Sequence, residues 1–193
     1  MSVPQFLFWG ALAAALIYWF PVRAWYRRSG AARLGRQRVM SGDAILSSPQ
    51  YESTLAISID ATPDEVWPWL LQMGRGRRPK PTAEWQHLKE GDAIDLSLAP
   101  RFPIAEIEPS RTLVLSGGRE GFEWTWQFEL HALHHGRTRL VSRRRVTGGP
   151  TLRSGVYALA LQPISFVIAR KMLLDVKRRA ERDAARTTAP HAA

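Results

Sequence analysis

Ala56-Ile-Ser-Ile-Asp-Ala-Thr-Pro-Asp-Glu-Val-Trp-Pro-Trp-Leu-Leu-Gln-Met-Gly74 decides the fold. Leu55, Ile57 and Ile59 alternate with Thr54, Ala56 and Ser58, the period of a half-buried strand. Thr62 then stands where an N-cap belongs, Pro63 takes the first helical position, and Glu65 follows three residues after the cap. This is a capping box with a proline start. Val66, Trp67, Leu70 and Met73 fall at helical spacing, and Gly74 can end the helix in a left-handed turn.

Beyond this strand and helix the pattern turns mostly to strands. Gly91-Asp92 reads as a turn into Ala93 to Leu98, with further strands over Phe102 to Glu108 and Thr112 to Ser116. The clearest strand runs from Phe122 to Leu130. Phe122, Trp124, Trp126, Phe128 and Leu130 share one face, and Glu123, Thr125, Gln127 and Glu129 the other. Burying the five apolar side chains contributes on the order of 10 kcal/mol before the entropy of ordering is subtracted. A hairpin at His134-His-Gly136 leads into Thr138 to Val146, where Arg137, Arg139, Arg143 and Arg145 share a face with Val141. That basic face is expected to be solvated, or to meet anionic head groups or an acidic partner. Phe166, Ala169, Leu173, Val176 and Ala180 then form the stripe of a long C-terminal helix. A run of strands with segregated helices predicts an α+β fold.

Three later stretches join the opening one in carrying a family resemblance. They are Gln86-His-Leu-Lys-Glu-Gly-Asp92, then Trp126 to Leu130 followed by Gly136 to Leu140 and Arg143, then Phe166 to Glu181. Together they resemble the START-like (SRPBCC) superfamily, in the branch labelled polyketide cyclase/dehydrase and lipid transport. The resemblance spans 42–184. It implies a helix-grip: a curved antiparallel sheet around a long C-terminal helix, with a cavity between them. One departure stands out. Relatives carry a longer aromatic segment after the Met-Gly, with a Tyr-Ser-Tyr-Asp-like run, where this chain has Gly76-Arg-Arg-Pro-Lys-Pro-Thr-Ala-Glu-Trp85. The ligand class is therefore not carried over.

No G-x-S-x-G, H-E-x-x-H, P-loop or G-x-G-x-x-G pattern appears. His131, His134 and His135 fall across the hairpin, where exposed turn histidines are a better reading than metal ligands. The chain has no cysteine, so disulfides and thiolate chemistry are excluded. No cofactor is called for. The cavity candidates are Trp67, Trp124, Trp126, Phe128, Phe166 and Leu173, each also readable as plain core. Gln72, Gln127 and Tyr157 are the polar groups near them.

The net charge of +10 sits in the flanks. Residues 1–50 hold six Arg against one Asp, residues 51–150 balance thirteen basic with thirteen acidic residues, and residues 151–193 hold eight basic against three acidic. A neutral domain body argues against a nucleic-acid partner, whose footprint would lie on the folded face. Phe6 to Phe20 carries no charge, and extension to Val3 and Val22 gives a run near the length of a membrane span. Arg23, Arg27 and Arg28 follow it, on the side opposite to a secretory signal's positive charge. They are expected to sit at an anionic membrane surface, with the N-terminus outside and the domain in the cytoplasm. A short interfacial or buried helix is the other reading of that run.

The expected organisation is a single-pass anchor at 1–26, a basic linker at 27–50, the helix-grip domain at 51–186 and a disordered tail at 187–193. The expected function is a membrane-tethered module that binds or transports a hydrophobic small molecule or lipid. Two alternatives stand beside it: a cyclase/aromatase-type enzyme on a hydrophobic substrate, and an interaction protein whose cavity is filled by its own side chains.

Overall fold

The computed structural model describes residues 9–10, 39–73, 87–96, 99–119, 121–148 and 162–188. Six strands form one antiparallel sheet: β1 (Tyr51–Ile59), β2 (Ala93–Leu96), β3 (Ala99–Glu108), β4 (Thr112–Arg119), β5 (Phe122–Leu133) and β6 (Arg137–Gly148). Their spatial order is β1-β6-β5-β4-β3-β2. The last five strands thus meander, and the first strand returns to pair with the last. Helix α1 (Pro63–Leu71) follows β1, and helix α2 (Gln162–Thr188) follows β6. The fold is α+β, a six-stranded antiparallel sheet with a C-terminal helix, as the sequence predicts.

The corner between β1 and α1 is built by the residues that signal it. The Glu65 carboxylate accepts from the Thr62 backbone N–H at 2.7 Å and from the Thr62 hydroxyl at 2.9 Å. The helix ends at Gln72, one turn after Pro68, and the Met73 N–H bonds the Leu70 carbonyl. The far end of α2 is tied to the same corner. Lys177 Nζ donates to the Ser58 carbonyl at 2.7 Å, and Glu181 accepts from the Asp60 N–H at 2.9 Å. Thr138 on β6 completes it with a hydroxyl bond to the Ala61 carbonyl at 2.6 Å. The C-terminal helix is thereby held across the sheet.

Both helices cover one face, here the inner one. Ile59, Leu113, Leu115, Trp126, Phe128, Leu130 and Leu140 from the strands pack with Trp67, Leu70, Leu173, Val176 and Ala180. The stripe predicted on α2 is the buried one: Phe166, Leu173, Val176 and Ala180 are buried and Ala169 packs partly against the core.

The outer face departs from the expectation of a solvated, basic surface. Residues 39–46, assigned by composition to a linker, run over it with Met40 and Leu46 buried. Within this strap a 3-10 turn, Ser41–Ala44, lays Asp43 onto the sheet. The Asp43 carboxylate receives Arg143 Nη1 at 2.5 Å, Arg145 Nη2 at 3.2 Å and Gln127 Nε2 at 2.7 Å. Arg143 is 1% exposed. Gly42 permits this approach, because a Cβ there would lie 2.8 Å from Val114 Cγ1. Toward the turn the face is more open: Arg137 pairs with Asp60 at 2.7 Å and Arg139 Nη1 bonds Ser58 Oγ at 3.0 Å. The linear pattern placed the four arginines correctly on one face. It missed that a sequence-distant carboxylate covers two of them.

Two assignments meet only part of the described chain. Thr187 and Thr188, placed in a tail, belong to α2. The apolar run and Arg23, Arg27 and Arg28 lie outside the described residues, apart from helical Trp9 and Gly10, of which Trp9 is 57% exposed. No helix among the described residues is long and apolar enough to cross a membrane.

Candidate ligand-binding site

Strand alternation on β5 sends Trp124, Trp126 and Phe128 to the inner face, where α1 and α2 lie. Register sets their neighbours. Phe128 stands opposite Leu113 on β4 and Ser142 on β6, Trp126 opposite Leu115 and Arg144, and Trp124 opposite Gly117 and Val146. The rings form a chain. Trp126 and Phe128 are 5.2 Å apart between centroids, Phe102 of β3 meets Trp126 edge-on at 6.2 Å, and Phe102 meets Trp124 edge-on at 5.1 Å.

Gly117 explains how Trp124 reaches β3. A Cβ at Gly117 would come within 2.7 Å of Trp124 Cζ2, so the indole lies directly over that backbone. The neighbouring indole is held differently. Trp126 Nε1 donates to Ser142 Oγ at 2.9 Å within the buried face, which satisfies its only polar atom.

The six predicted cavity residues therefore come to the same side of the sheet or to the helices on it, with unequal exposure. Trp67, Trp126, Phe128 and Leu173 are buried members of the central core. Phe166 is buried outside that cluster. Trp124 alone of the six is half-buried. The partly exposed apolar side chains beside the core include Leu55 and Ile57 on β1, Phe102, Trp124, and Met172 on α2. Phe102 escaped the sequence reading because it sits between Arg101 and Pro103, where no alternation marks a face. Arg144 also belongs to the inner face, opposite Trp126. Its signal was present: in an Arg143-Arg144-Arg145 run on a strand, the middle residue faces away from its neighbours.

The polar candidates separate. Gln127 is on the outer face with Asp43. Gln72 is buried at the end of α1, and neither its Oε1 nor its Nε2 has a hydrogen-bond partner among the described residues. Tyr157 lies outside the described residues. Asp92 acts as a turn residue, its carboxylate accepting from the Lys89 N–H at 2.8 Å. His131 Nε2 stands 3.1 Å from Glu129 Oε2 on the outer face. Among the described residues, no group of three or more His, Cys, Asp or Glu is placed to hold a metal.

No protein-family model and no curated protein matches the chain. Solved structures do. A hypothetical protein from Helicobacter pylori, jhp0584, superposes with a TM-score of 0.51 at 11% identity, over 74% of this chain and 95% of that one. CalU16 from Micromonospora echinospora gives a TM-score of 0.40 at 24% identity, covering 69% of this chain and 86% of its own. The Polyketide_cyc-like protein Cgl2372 from Corynebacterium glutamicum gives 0.45 at 13%, covering 77% and 99%. At these identities a likeness speaks to fold alone. The element order, the pairing of first strand with last, and the C-terminal helix across the inner face are those that the sequence resemblance to START-like (SRPBCC) proteins implies.

Proposed function

We propose that the protein binds an apolar small molecule or lipid between the inner face of the sheet and α2. The observation that carries this reading is the Trp124–Phe102 pair, two large aromatics packed edge-on at 5.1 Å yet only half-buried, on a face whose other aromatics are core. Leu55, Ile57 and Met172 share that partial exposure. An apolar ligand laid against them would leave water for an apolar surface, and burial of that surface is the driving force.

The apolar run at 3–22 completes the proposal as a single-pass tether, with Arg23, Arg27 and Arg28 at the cytoplasmic surface. A tether would hold the domain beside its source of ligand and raise the effective concentration.

The test is native mass spectrometry of the full chain released from mild detergent, with lipid extraction of any bound mass. A discrete, dissociable adduct is expected, depleted in Trp124→Ala and Phe102→Ala. A clean apo mass that stays unchanged after incubation with mixed membrane lipids overturns the ligand reading and favours an interaction role. Recovery of full-length protein in the soluble fraction of lysed cells, without detergent, overturns the tether.

A further inference from the structure

The side of α2 that turns away from the sheet has a pattern of its own. At about 100° per residue, Ile164, Val167, Lys171, Arg178 and Arg182 fall within about 60° of one another, and Arg186 lies at the edge of the same row. The buried stripe of Phe166, Leu173, Val176 and Ala180 is on the opposite side. Burial agrees with this placement. All six residues of the row are exposed, Ile164 at 56% and Val167 at 49%. At about 1.5 Å per residue the row runs about 33 Å along the helix.

The row has two parts. Its N-terminal end is apolar and the rest is cationic. Every exposed charged residue of α2 is basic: Lys171, Arg178, Arg182 and Arg186. The three acidic residues of the helix, Asp175, Glu181 and Asp183, are all partly buried. Asp175, the one carboxylate near the row, is met by Arg178 Nη2 at 3.1 Å and by Arg179 Nε at 2.8 Å. Glu181 is met by Lys177 Nζ at 3.0 Å and by the Asp60 N–H. Lys171, Arg182 and Arg186 make no ion pair among the described residues. The surface left over is therefore positive.

Such a row calls for an anionic partner, and a second copy of this chain would set cations against cations. The apolar end narrows the choice. Ile164 and Val167 gain by leaving water, and a bilayer interface offers that beside its phosphates. A cluster of about four or more Lys and Arg on an amphipathic helix is the composition that anionic lipid attracts. The same chain carries an uncharged apolar run near the length of a membrane span at 3–22.

We propose that the outward row of α2 is a docking surface for an anionic phospholipid bilayer. Lys171, Arg178, Arg182 and Arg186 lie along the head-group phosphates, and Ile164 and Val167 enter the interface at one end. The contact requires neither a bound ligand nor the tether, since its residues stand on the side of α2 opposite the buried stripe.

The chain has no cysteine, so one introduced cysteine can carry an environment-sensitive fluorophore. Val167→Cys reports on α2, and Ile45→Cys, on the strap across the sheet, is the reference. The full chain is reconstituted with vesicles that hold a lipid-borne quencher, made of phosphatidylcholine alone or of phosphatidylcholine with phosphatidylglycerol. Quenching of the Val167 label is expected in the anionic vesicles and not in the neutral ones, with the Ile45 label unaffected in both. Added salt should reverse it. Lys171→Gln, Arg182→Gln and Arg186→Gln should each lower the ratio of docked to undocked protein about fivefold. Equal quenching in the two vesicles, equal quenching of the two labels, or a ratio unchanged in all three variants overturns the proposal. So does an unquenched Val167 label that responds saturably to soluble polyglutamate, which assigns the row to an acidic protein. Retention of the chain by neutral vesicles reports separately on the tether.

Discussion

On its inner side β5 presents Trp124, Trp126, Phe128 and Leu130 to two helices. On its outer side the same strand presents Thr125, Gln127 and Glu129, and a strap carrying one 3-10 turn covers them in part. Both sets are largely buried, but by different physics. The inner set gains from apolar surface removed from water, which needs area and no direction. The outer set holds charge and amides that tolerate burial only when each is met by a partner at hydrogen-bond distance. Asp43 supplies that partner for Arg143, Arg145 and Gln127 together. One side of the sheet therefore depends on many interchangeable contacts, and the other on a few directed ones centred on Asp43 and Glu52.

This contrast can be broken most severely at its two centres. Phe128→Ala is expected to cost about 3–5 kcal/mol by urea unfolding of the full chain, from lost burial and the cavity left behind. Arg143→Ala should cost about 3 kcal/mol for another reason, because the Asp43 carboxylate loses its most buried cation and keeps only Arg145 and Gln127. Replacing Asp43 and Arg143 together by apolar residues separates the two mechanisms: much of the single-variant loss should return. A double variant as unstable as the sum of the singles would mean the pair does not act as a unit.

A smaller effect is expected where backbone meets ring. Gly117→Ala places a methyl within 2.7 Å of Trp124 Cζ2 and should cost about 1–3 kcal/mol, with a shifted Trp124 indole resonance. An unchanged resonance would mean the indole does not rest on that backbone. Ser142→Ala removes the acceptor of the Trp126 indole N–H, and about 1–3 kcal/mol of destabilisation is expected from the buried donor left unpaired. The smallest change belongs to the exposed Arg137–Asp60 pair, whose side chains are each half or more in solvent. Arg137→Ala should move stability by no more than about 1 kcal/mol and less at high salt.

Legibility differed between the two sides in the same way. The inner face could be read from β5 alone, since alternation of aromatic with polar residues is a local property of the strand. The C-terminal stripe was equally plain, and its positions Leu173, Val176 and Ala180 are fully buried. The exposure that distinguishes Trp124 from Trp126 was not legible, because it depends on Gly117 and Phe102 from other strands. On the outer side the positions of the arginines were legible and their environment was not. Asp43 lies 100 residues before Arg143 in the chain. No local pattern links them, and a strap with Gly, Asp and Ser has the composition of a linker.

The sequence by itself determined the elements of this protein: a capped helix after the first strand, a two-faced fifth strand, a striped last helix, and a charge excess confined to the flanks. Periodicity and capping are read over a few residues, so short-range chemistry suffices to specify them. Only the tertiary structure decided which arginines lose their water and which tryptophan keeps some of its surface exposed. Those outcomes depend on groups distant in sequence arriving at one place, and burial is fixed by the full set of neighbours rather than by any residue's own pattern.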